Sequence, residues 1–290
     1  MQEIEFKFQV PVKKRKALQK AFTLLKAEPI HLAAQYFDTA DQTLAKHCIA
    51  IRRRQENGEW KQTFKAVNTA KALSRFELEF DIAPPETTTL DLDNYKKDYS
   101  AIYKKLKRAL GLPLPTLELL FETNIQRLRI LQDVGNSTVE IALDIGKIFE
   151  AQNNVDIFEI EFELKQGSIE DLIAFIQPWV QKYQLSLDTH SKSDYGLLAV
   201  RQQVCFPAQY QIPLILNRSS SEVEALQSIV ANCLQHLLPN ASSIARQQYS
   251  SEHVHQARVA IRRLRSALKS FAAWSDAIQP HWKAELTTIF

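Results

Sequence analysis

Residues 2–10, QEIEFKFQV, alternate charged and apolar side chains. Because successive side chains of a β-strand point to opposite faces, Glu3, Glu5 and Lys7 share one face and the apolar residues between them share the other. The same alternation recurs up to about residue 200, in segments separated by turn signals. The pattern therefore predicts a sheet with one ionic face and one apolar face.

Turn signals divide this region into eight predicted strands and three predicted helices. Asn57-Gly58 and Gly135-Asn136 are dipeptides typical of tight hairpin turns, so the strands that they join are expected to be antiparallel. The predicted strands span residues 2–10, 31–38, 47–56, 59–67, 74–82, 117–134, 137–149 and 155–165. The predicted helices span residues 12–26, 98–110 and 168–183.

The charges on the ionic faces segregate by sign from strand to strand. On any single strand, charged residues on one face are what a solvated outer face would show. Three like charges on one face, such as Glu159, Glu161 and Glu163, repel one another unless cations or opposing strands compensate them. If the sheet closes into a barrel, these faces can line an interior that offers carboxylates beside Arg and Lys.

Such an interior favours a metal ion together with a phosphate chain. Carboxylate oxygens suit Mg²⁺ or Mn²⁺, and proteins commonly hold Mg²⁺ with a few carboxylates plus substrate phosphates. Paired arginines such as Arg52 and Arg54 suit phosphate oxygens. The chain has only six glycines and no Gly-rich phosphate loop, so a P-loop or Rossmann nucleotide fold is not supported.

Composition excludes several other classes of protein. With 45% hydrophobic and 24% charged residues over 290 positions, the chain can bury a sizeable core. A net charge of +3 argues against a histone-like protein, and we expect no nucleic-acid partner. The three cysteines are too few and too scattered for a disulfide framework, which predicts a cytoplasmic location. No signal peptide or membrane-spanning run is found, so we expect no membrane partner.

The chain changes character after about residue 203. Residues 205–221 contain two prolines and a run of serines, and Ser221 with Glu224 has the spacing of a capping box that opens a helix. The pattern is helical from there on. We therefore predict two domains, residues 1–203 and residues 218–290. The net charge is −1 over residues 1–200 and +4 over residues 201–290.

Taken in order, the charged residues resemble the CYTH family, the triphosphate tunnel metalloenzymes. Residues 3–7 match the ExExK motif of that family, and Tyr36-Phe37-Asp38-Thr39 follows. The further positions that carry the resemblance are Arg52, Arg54, Lys65, Glu77, Arg127, Asp144, Glu159, Glu161 and Lys192. The predicted fold class is α+β: the resemblance implies an eight-stranded antiparallel β-barrel, the triphosphate tunnel, with outer helices, and an all-α C-terminal domain follows it.

The resemblance also implies an activity and a site. The activity is that of an inorganic triphosphatase, which hydrolyses tripolyphosphate to pyrophosphate and phosphate with Mg²⁺ or Mn²⁺. The implied metal ligands are Glu3, Glu5, Glu77, Asp144, Glu159 and Glu161. The implied substrate-binding residues are Arg52, Arg54, Lys65, Arg127, Arg129 and Lys192. The implied catalytic residues are Glu5, Glu161 and Lys7, where Lys7 could position or deprotonate the attacking water.

A second resemblance lies in the tail. Residues 255–271, HQARVAIRRLRSALKSF, place basic residues three or four apart, so that they form one stripe of a helix. The stripe consists of His255, Arg258, Arg262, Arg265 and Lys269. It resembles the signature helix of CHAD domains, which implies binding of long-chain polyphosphate; a solvated basic face is the alternative. The tail is shorter than a CHAD domain, so we expect an incomplete one.

Other functions stay open at this point. A thiamine triphosphatase or a class IV adenylate cyclase would need a pocket for an organic group beside the triphosphate. A non-catalytic polyphosphate-binding protein would depend on the tail alone. Glu163 and Lys165 could be surface charges at a tunnel mouth, and Glu79 and Glu140 could serve only as partners of neighbouring arginines.

Overall fold

The computed structural model describes residues 2–67, 75–90, 92, 95–96, 99–151, 153–275 and 278–289. The strands found there are β1 (Gln2–Glu3), β2 (Glu5–Gln9), β3 (Glu28–Asp38), β4 (Ile49–Glu56), β5 (Glu59–Val67), β6 (Arg75–Ile82), β7 (Thr89–Leu90), β8 (Leu117–Val134), β9 (Ser137–Glu150), β10 (Asn153–Gln166) and β11 (Ser186–Leu187). The helices are α1 (Val12–Leu24), α2 (Thr43–Lys46), α3 (Ser100–Leu110), α4 (Ile169–Tyr183), α5 (Lys192–Val200), α6 (Glu222–Ala245), α7 (Ser251–Ser270) and α8 (Pro280–Thr288).

The strands form one sheet in the order β1-β6-β5-β4-β3-β8-β9-β10-β2-β11, in which neighbouring strands from β1 to β2 are antiparallel, and β7 pairs with β8. This confirms the predicted antiparallel fold and both hairpins; Asn57 and Gly58 have φ values of 51° and 92°, as their turn requires. The predicted number of strands was too low, because the N-terminal strand is interrupted at Ile4 and two further short strands occur among the described residues.

The predicted barrel also differs in how the sheet closes. The strand order is an open path, not a continuous ring of eight strands. In the part of the chain that the structure describes, the N-terminal segment joins two strands that lie far apart in this order: Gln2 pairs with Phe76 of β6, and Lys7 pairs with Glu161 of β10. Residues that are neighbours in sequence thus bring together strands from opposite ends of the sheet order.

The apolar face of the sheet is covered by helices. The ring of Trp179 in α4 lies 5.7 Å from the ring of Phe162 in β10 and 6.2 Å from that of Phe22 in α1. Helix α3 buries Ile102 and Leu106 in a cluster with residues of β4 and β5. Each fully buried side chain of this size stabilises the fold by about 1.5–3 kcal/mol. With this face occupied, the opposite face carries the charged residues.

Helix α5 lies against the charged face and was not predicted. Ser191 caps it: the backbone N–H of Ser191 donates to Asp194, and the Ser191 hydroxyl accepts from the Asp194 N–H. The contact with the sheet is close at Gly196, where an added Cβ would lie 2.1 Å from the ring of Phe121 in β8. The helix therefore places its first residue, Lys192, beside β8, β9 and β10.

Substituting Gly196 by alanine is expected to destabilise the sheet by about 1–3 kcal/mol, because the added methyl group overpacks the contact. The Phe121 ring cannot easily move away, since it is buried and stacked on Tyr36 with ring centroids 4.5 Å apart. The midpoint of urea unfolding of the full chain measures the effect. Ser266→Ala, an exposed substitution in α7, is the control and should shift the midpoint little. An unchanged midpoint for Gly196→Ala would show that α5 does not pack here as described.

The contacts divide the chain into two units, Met1–Ser186 with Ser191–Gln203, and Leu187–His190 with Val204–Phe290. We call them the sheet unit and the helical unit.

In the helical unit, the segment before α6 is held by asparagines of that helix. Asn240 hydrogen-bonds both the backbone N–H and the backbone carbonyl of Gln209, and Asn232 donates to the carbonyl of Ile212. The Pro- and Ser-rich segment is thus partly anchored on α6.

Candidate active site

The register of neighbouring strands places the predicted site residues in adjacent rows. Arg127 of β8 lies opposite Asp144 of β9, and Asp144 lies opposite Glu159 of β10. Two positions along β10, Glu161 lies opposite Lys7 of β2. Since directly opposed residues of an antiparallel sheet share a face, these side chains converge on the charged face.

Asp144, Glu159 and Glu161 form what we call the acidic centre. All three are buried, and one ligand oxygen from each lies within 4.8 Å of the others. In the part of the chain that the structure describes, no other group of His, Cys, Asp and Glu side chains comes together in this way. Buried carboxylates at this spacing are hard oxygen ligands suited to a divalent cation such as Mg²⁺ or Mn²⁺.

Three cations compensate these carboxylates. The Lys192 ammonium lies 2.6 Å from Asp144 Oδ2, 2.5 Å from Glu159 Oε1 and 2.7 Å from Glu161 Oε1. Arg127 donates from Nε and Nη2 to the two oxygens of Asp144, each at 2.7 Å, and from Nη2 to Glu161 as well. Lys7 Nζ lies 3.3 Å from Glu159 Oε2. The Lys192 ammonium thus occupies the point where the carboxylates converge.

The hydrogen bonding of Glu159 is a second observation that favours a divalent cation in the acidic centre. Glu159 Oε1 is buried and accepts no hydrogen bond from the described residues, although it is in ion-pair contact with Lys192. Buried carboxylate oxygens ordinarily have hydrogen-bond or metal partners. An oxygen with only one such contact retains capacity for a metal ion.

The electrostatics keep the centre ionised. Burial opposes the charge of Glu161, but the Lys192 ammonium and the Arg127 guanidinium outweigh it and hold the pKa of Glu161 well below its ordinary value. Burial also opposes the charge of Lys192, but Asp144, Glu159 and Glu161 outweigh it and raise the pKa of Lys192 well above its ordinary value. At neutral pH the Glu161 carboxylate is therefore ready to bind a cation.

A second charged cluster lies on β4, β5 and β6. Arg54 pairs with Glu79 at 3.2 Å and with Glu56 at 3.3 Å, and Lys65 pairs with Glu77 at 2.7 Å. Arg52 lies 3.8 Å from Glu77. Burial, with the neighbouring Arg52 charge, lowers the pKa of Arg54. Glu79 is thus a partner of an arginine, as one interpretation of the sequence expected.

Two contacts of these clusters were missed from the sequence. Thr63, fully buried in β5, accepts a hydrogen bond from Arg52 Nε at 3.3 Å and donates one to Glu79 at 3.0 Å. Tyr195 of α5 lies with its ring centroid 5.6 Å from Lys7 Nζ, within cation–π range. The Ser-x-x-Asp spacing at Ser191 could have revealed α5, whereas the placement of Thr63 depends on pairing between strands.

Two other predicted residues, Arg129 and Glu140, form ion pairs with residues outside the acidic centre. Arg129 pairs with the exposed Glu28 at 2.7 Å, and Glu140 pairs with Lys165 at 3.5 Å. Glu5 is half-buried in β2, opposite Glu163 of β10. The side chain of Glu3 lies outside the described part of the chain.

The predicted stripe of the tail lies along one accessible side of α7. His255, Arg258, Arg262 and Lys269 are exposed, and Arg265 is half-buried. The buried side of α7 carries a separate polar network. Gln256 contacts His236 of α6 at 2.8 Å, and Arg263 donates to Asn232 at 2.7 Å.

The fold and site define an α+β protein in which a charged sheet face gathers buried carboxylates, arginines and lysines. The chain belongs to the CYTH family, because the family model for the CYTH domain matches residues 1–194. The model for the CHAD domain matches residues 228–290. Both resemblances found in the sequence are thereby confirmed.

A curated relative is similar over much of the chain. An inorganic triphosphatase from Haemophilus influenzae is 31% identical over 209 residues, which make up 70% of this chain and 56% of that protein. The chain thus spans little more than half the length of this relative.

Solved structures show weaker similarity. A candidate adenylate cyclase from Bacillus halodurans has a TM-score of 0.47 and 21% identity, covering 67% of this chain and 96% of that chain. A Hippeastrum protein with a dominant triphosphatase activity has a TM-score of 0.47 and 17% identity, covering 69% of this chain and 96% of that chain. The family assignment therefore rests on the sequence match.

Among the described residues, the helices are too short or too polar for any of them to cross a bilayer.

Proposed function

We propose that this protein is a metal-dependent inorganic triphosphatase that hydrolyses tripolyphosphate to pyrophosphate and phosphate. The observation that carries the proposal is the acidic centre, in which three buried carboxylates converge on Lys192 with Arg127 and Lys7 around them. The printed name of the Haemophilus influenzae relative supports it. We assign the activity to residues 1–203 and treat residues 218–290 as a CHAD-like helical domain.

The balance of charge favours a metal ion and a polyanion entering together. The acidic centre has three negative charges, and Lys7, Arg127 and Lys192 supply three positive ones. A tripolyphosphate chain entering such a neutral, buried cluster would bring uncompensated negative charge. When bound, Mg²⁺ or Mn²⁺ supplies charge that neutralises phosphate oxygens and orients water for in-line attack. Asp144, Glu159 and Glu161 would hold it.

The cations of the site then have distinct roles. Arg52, Arg54 and Lys65 lie on adjacent strands and would bind phosphate oxygens as guanidinium and ammonium donors. Lys192 and Arg127 would exchange part of their contacts with the carboxylates for contacts with the phosphate chain. Lys7, held at 3.3 Å from Glu159, would orient the attacking water. We propose Glu3, Glu5 and Glu77 as further metal ligands. We propose Arg129 as a residue that binds phosphate oxygens near one end of the tripolyphosphate.

A side-by-side assay of tripolyphosphate, thiamine triphosphate and ATP tests the substrate class. We expect tripolyphosphate to have the highest kcat/KM with Mg²⁺ or Mn²⁺, with one phosphate and one pyrophosphate formed per substrate. The reason is that the arginines and lysines of the site are donors and charges suited to phosphate oxygens. A higher kcat/KM for thiamine triphosphate, or formation of cyclic AMP from ATP, would contradict the proposal and favour the alternative activity.

A second candidate function is binding of long-chain polyphosphate by α7. The accessible stripe of His255, Arg258, Arg262, Arg265 and Lys269 favours it. In the full chain, Arg258→Gln with Arg262→Gln is expected to weaken binding of long-chain polyphosphate by about tenfold at low salt and to leave tripolyphosphate hydrolysis unchanged. Unchanged binding would make the stripe a solvated face. Thr287→Ala with Thr288→Ala, at exposed positions of α8, is the control.

A further inference from the structure

Thr63 is an uncharged residue in a row of charged ones that crosses three strands. Arg52 of β4 lies opposite Thr63 of β5, and Thr63 lies opposite Glu79 of β6. Because directly opposed residues of an antiparallel sheet share a face, all three lie on the charged face. Within β5, Lys61 and Lys65 flank Thr63 on that same face. A neutral hydroxyl group therefore lies among the cations and carboxylates of this cluster.

The Thr63 hydroxyl group makes two hydrogen bonds of opposite kind. It donates to Glu79 Oε2 at 3.0 Å and accepts from Arg52 Nε at 3.3 Å. An ionised carboxylate can only accept and a guanidinium can only donate, so the direction of both bonds is fixed. Thr63 is fully buried, and solvent cannot readily take over the role of its hydroxyl group. A valine side chain would have the same shape but could make neither bond.

The bond to Nε restricts the orientation of the Arg52 guanidinium group. This group is planar and rigid, and its N–H donors form a fixed fork. With Nε–H directed at Thr63 and Nη2 at 3.8 Å from Glu77, the plane of the guanidinium group is held from two sides. The donors on Nη1 and Nη2 are then presented in one orientation. Bidentate binding of phosphate oxygens depends on such an orientation.

Glu79 holds the Thr63 hydroxyl group in the direction that this contact needs. The Glu79 carboxylate is itself held by Arg54, whose Nη2 donates to it at 3.2 Å. With its proton committed to Glu79, the Thr63 hydroxyl group offers a lone pair to Arg52. On this ground we propose that Thr63 is a positioning residue for tripolyphosphate binding, acting through the Arg52 guanidinium group. The inference rests on the proposed function, in which Arg52 binds phosphate oxygens.

Thr63→Val in the full chain tests this role, because valine keeps the shape of the side chain and removes the hydroxyl group. We expect KM for tripolyphosphate to rise by about tenfold at saturating Mg²⁺ and kcat to change less than about threefold. Thr63→Ser keeps the hydroxyl group and should restore KM to within about twofold of the wild type. In an Arg52→Met background, Thr63→Val should raise KM no further, because the guanidinium group through which Thr63 acts is gone.

Thr123 of β8 provides a matched control. It is also a buried threonine, and it lies on the charged face because it is opposite Ala34, which is opposite Arg54. Its other strand neighbour is Ile148, so both residues directly opposite it are apolar. Thr123→Val is therefore expected to change KM less than about twofold.

The readout separates positioning from a purely structural role. A substitution that only reduces the amount of folded enzyme lowers the apparent kcat and leaves KM unchanged, since KM does not depend on enzyme concentration. If Thr63→Val loses its cooperative thermal transition, Thr63→Ala takes its place and is judged by the same criteria.

The outcomes also separate this inference from the proposed function. A wild-type protein that releases no phosphate from tripolyphosphate contradicts the proposed function and the inference with it. If the wild type is active, three results overturn the inference alone. These are an unchanged KM in Thr63→Val, a rise in KM as large in Thr63→Ser as in Thr63→Val, and an equal rise for Thr63→Val with and without Arg52.

Discussion

Replacing Glu161 by glutamine is expected to lower kcat for tripolyphosphate by about 10²–10³-fold with Mg²⁺ or Mn²⁺ saturating. The substitution keeps the shape of the side chain but removes a buried charge that contacts both Lys192 and Arg127. A neutral amide is a poor ligand for a divalent cation, and its NH₂ group would face the Lys192 ammonium. The initial rate of phosphate release, measured over a range of substrate and metal concentrations, gives the effect.

The control for this substitution lies on the same strand and the same face. Glu163→Gln removes a carboxylate that contacts Lys165, two positions from Glu161 and away from the acidic centre. We expect it to change kcat less than about threefold, as for a partly exposed ion pair. Equal losses in the two variants would mean that general negative charge on β10, and not the acidic centre, supports turnover.

Replacing Lys192 by methionine is expected to destabilise the metal-free protein by about 3–5 kcal/mol, because three buried carboxylates lose their shared cation. The same change frees the point where those carboxylates converge. Mg²⁺ or Mn²⁺ should therefore raise the unfolding midpoint of the variant more than that of the wild type, since a ligand that binds only the folded state stabilises it by mass action. Urea unfolding of the full chain with and without metal measures both effects.

Lys165→Met serves as the control for Lys192→Met. Lys165 also bridges two carboxylates, Glu140 and Glu163, but its side chain is 38% exposed. We expect a small loss of stability and no gain in metal response. If Lys192→Met unfolds at the same urea concentration as the wild type, or responds to metal equally, then the Lys192 ammonium does not occupy a cation-binding point.

Local patterns predicted much of the sheet unit. The strand over residues 117–134 begins and ends where the turn signals and alternation place it, and helix α4 begins after the Ser168 cap. These features depend on residues close in sequence, whose periodicity and capping chemistry determine local structure.

Features that depend on distant pairing were not predictable in the same way. Lys7 meets Glu159 across 152 positions of the chain, and the interruption at Ile4 follows from pairing with two different strands. Helix α5 was missed because nine residues of mixed character show no clear period, although its capping box was visible. The grouping of residues 187–190 with the helical unit likewise depends on contacts with Ser242 and Phe206.

The choice of metal ligands illustrates the same limit. The alternation placed Glu77, Glu159 and Glu161 on ionic faces without distinguishing them. In the folded chain, Glu77 is engaged by Lys65 at 2.7 Å, whereas Glu159 and Glu161 converge with Asp144. Which acid meets a lysine and which meets another acid depends on strand register, and a pattern within one strand carries no information about it.

Phosphate release from tripolyphosphate by the full chain, titrated with Mg²⁺ or Mn²⁺ from a metal-free start, tests the central claim most directly. The acidic centre predicts no release without metal, saturable release as metal is added, and one phosphate with one pyrophosphate per substrate. No release at any concentration of either metal, or release that is equal with and without metal, would contradict the account.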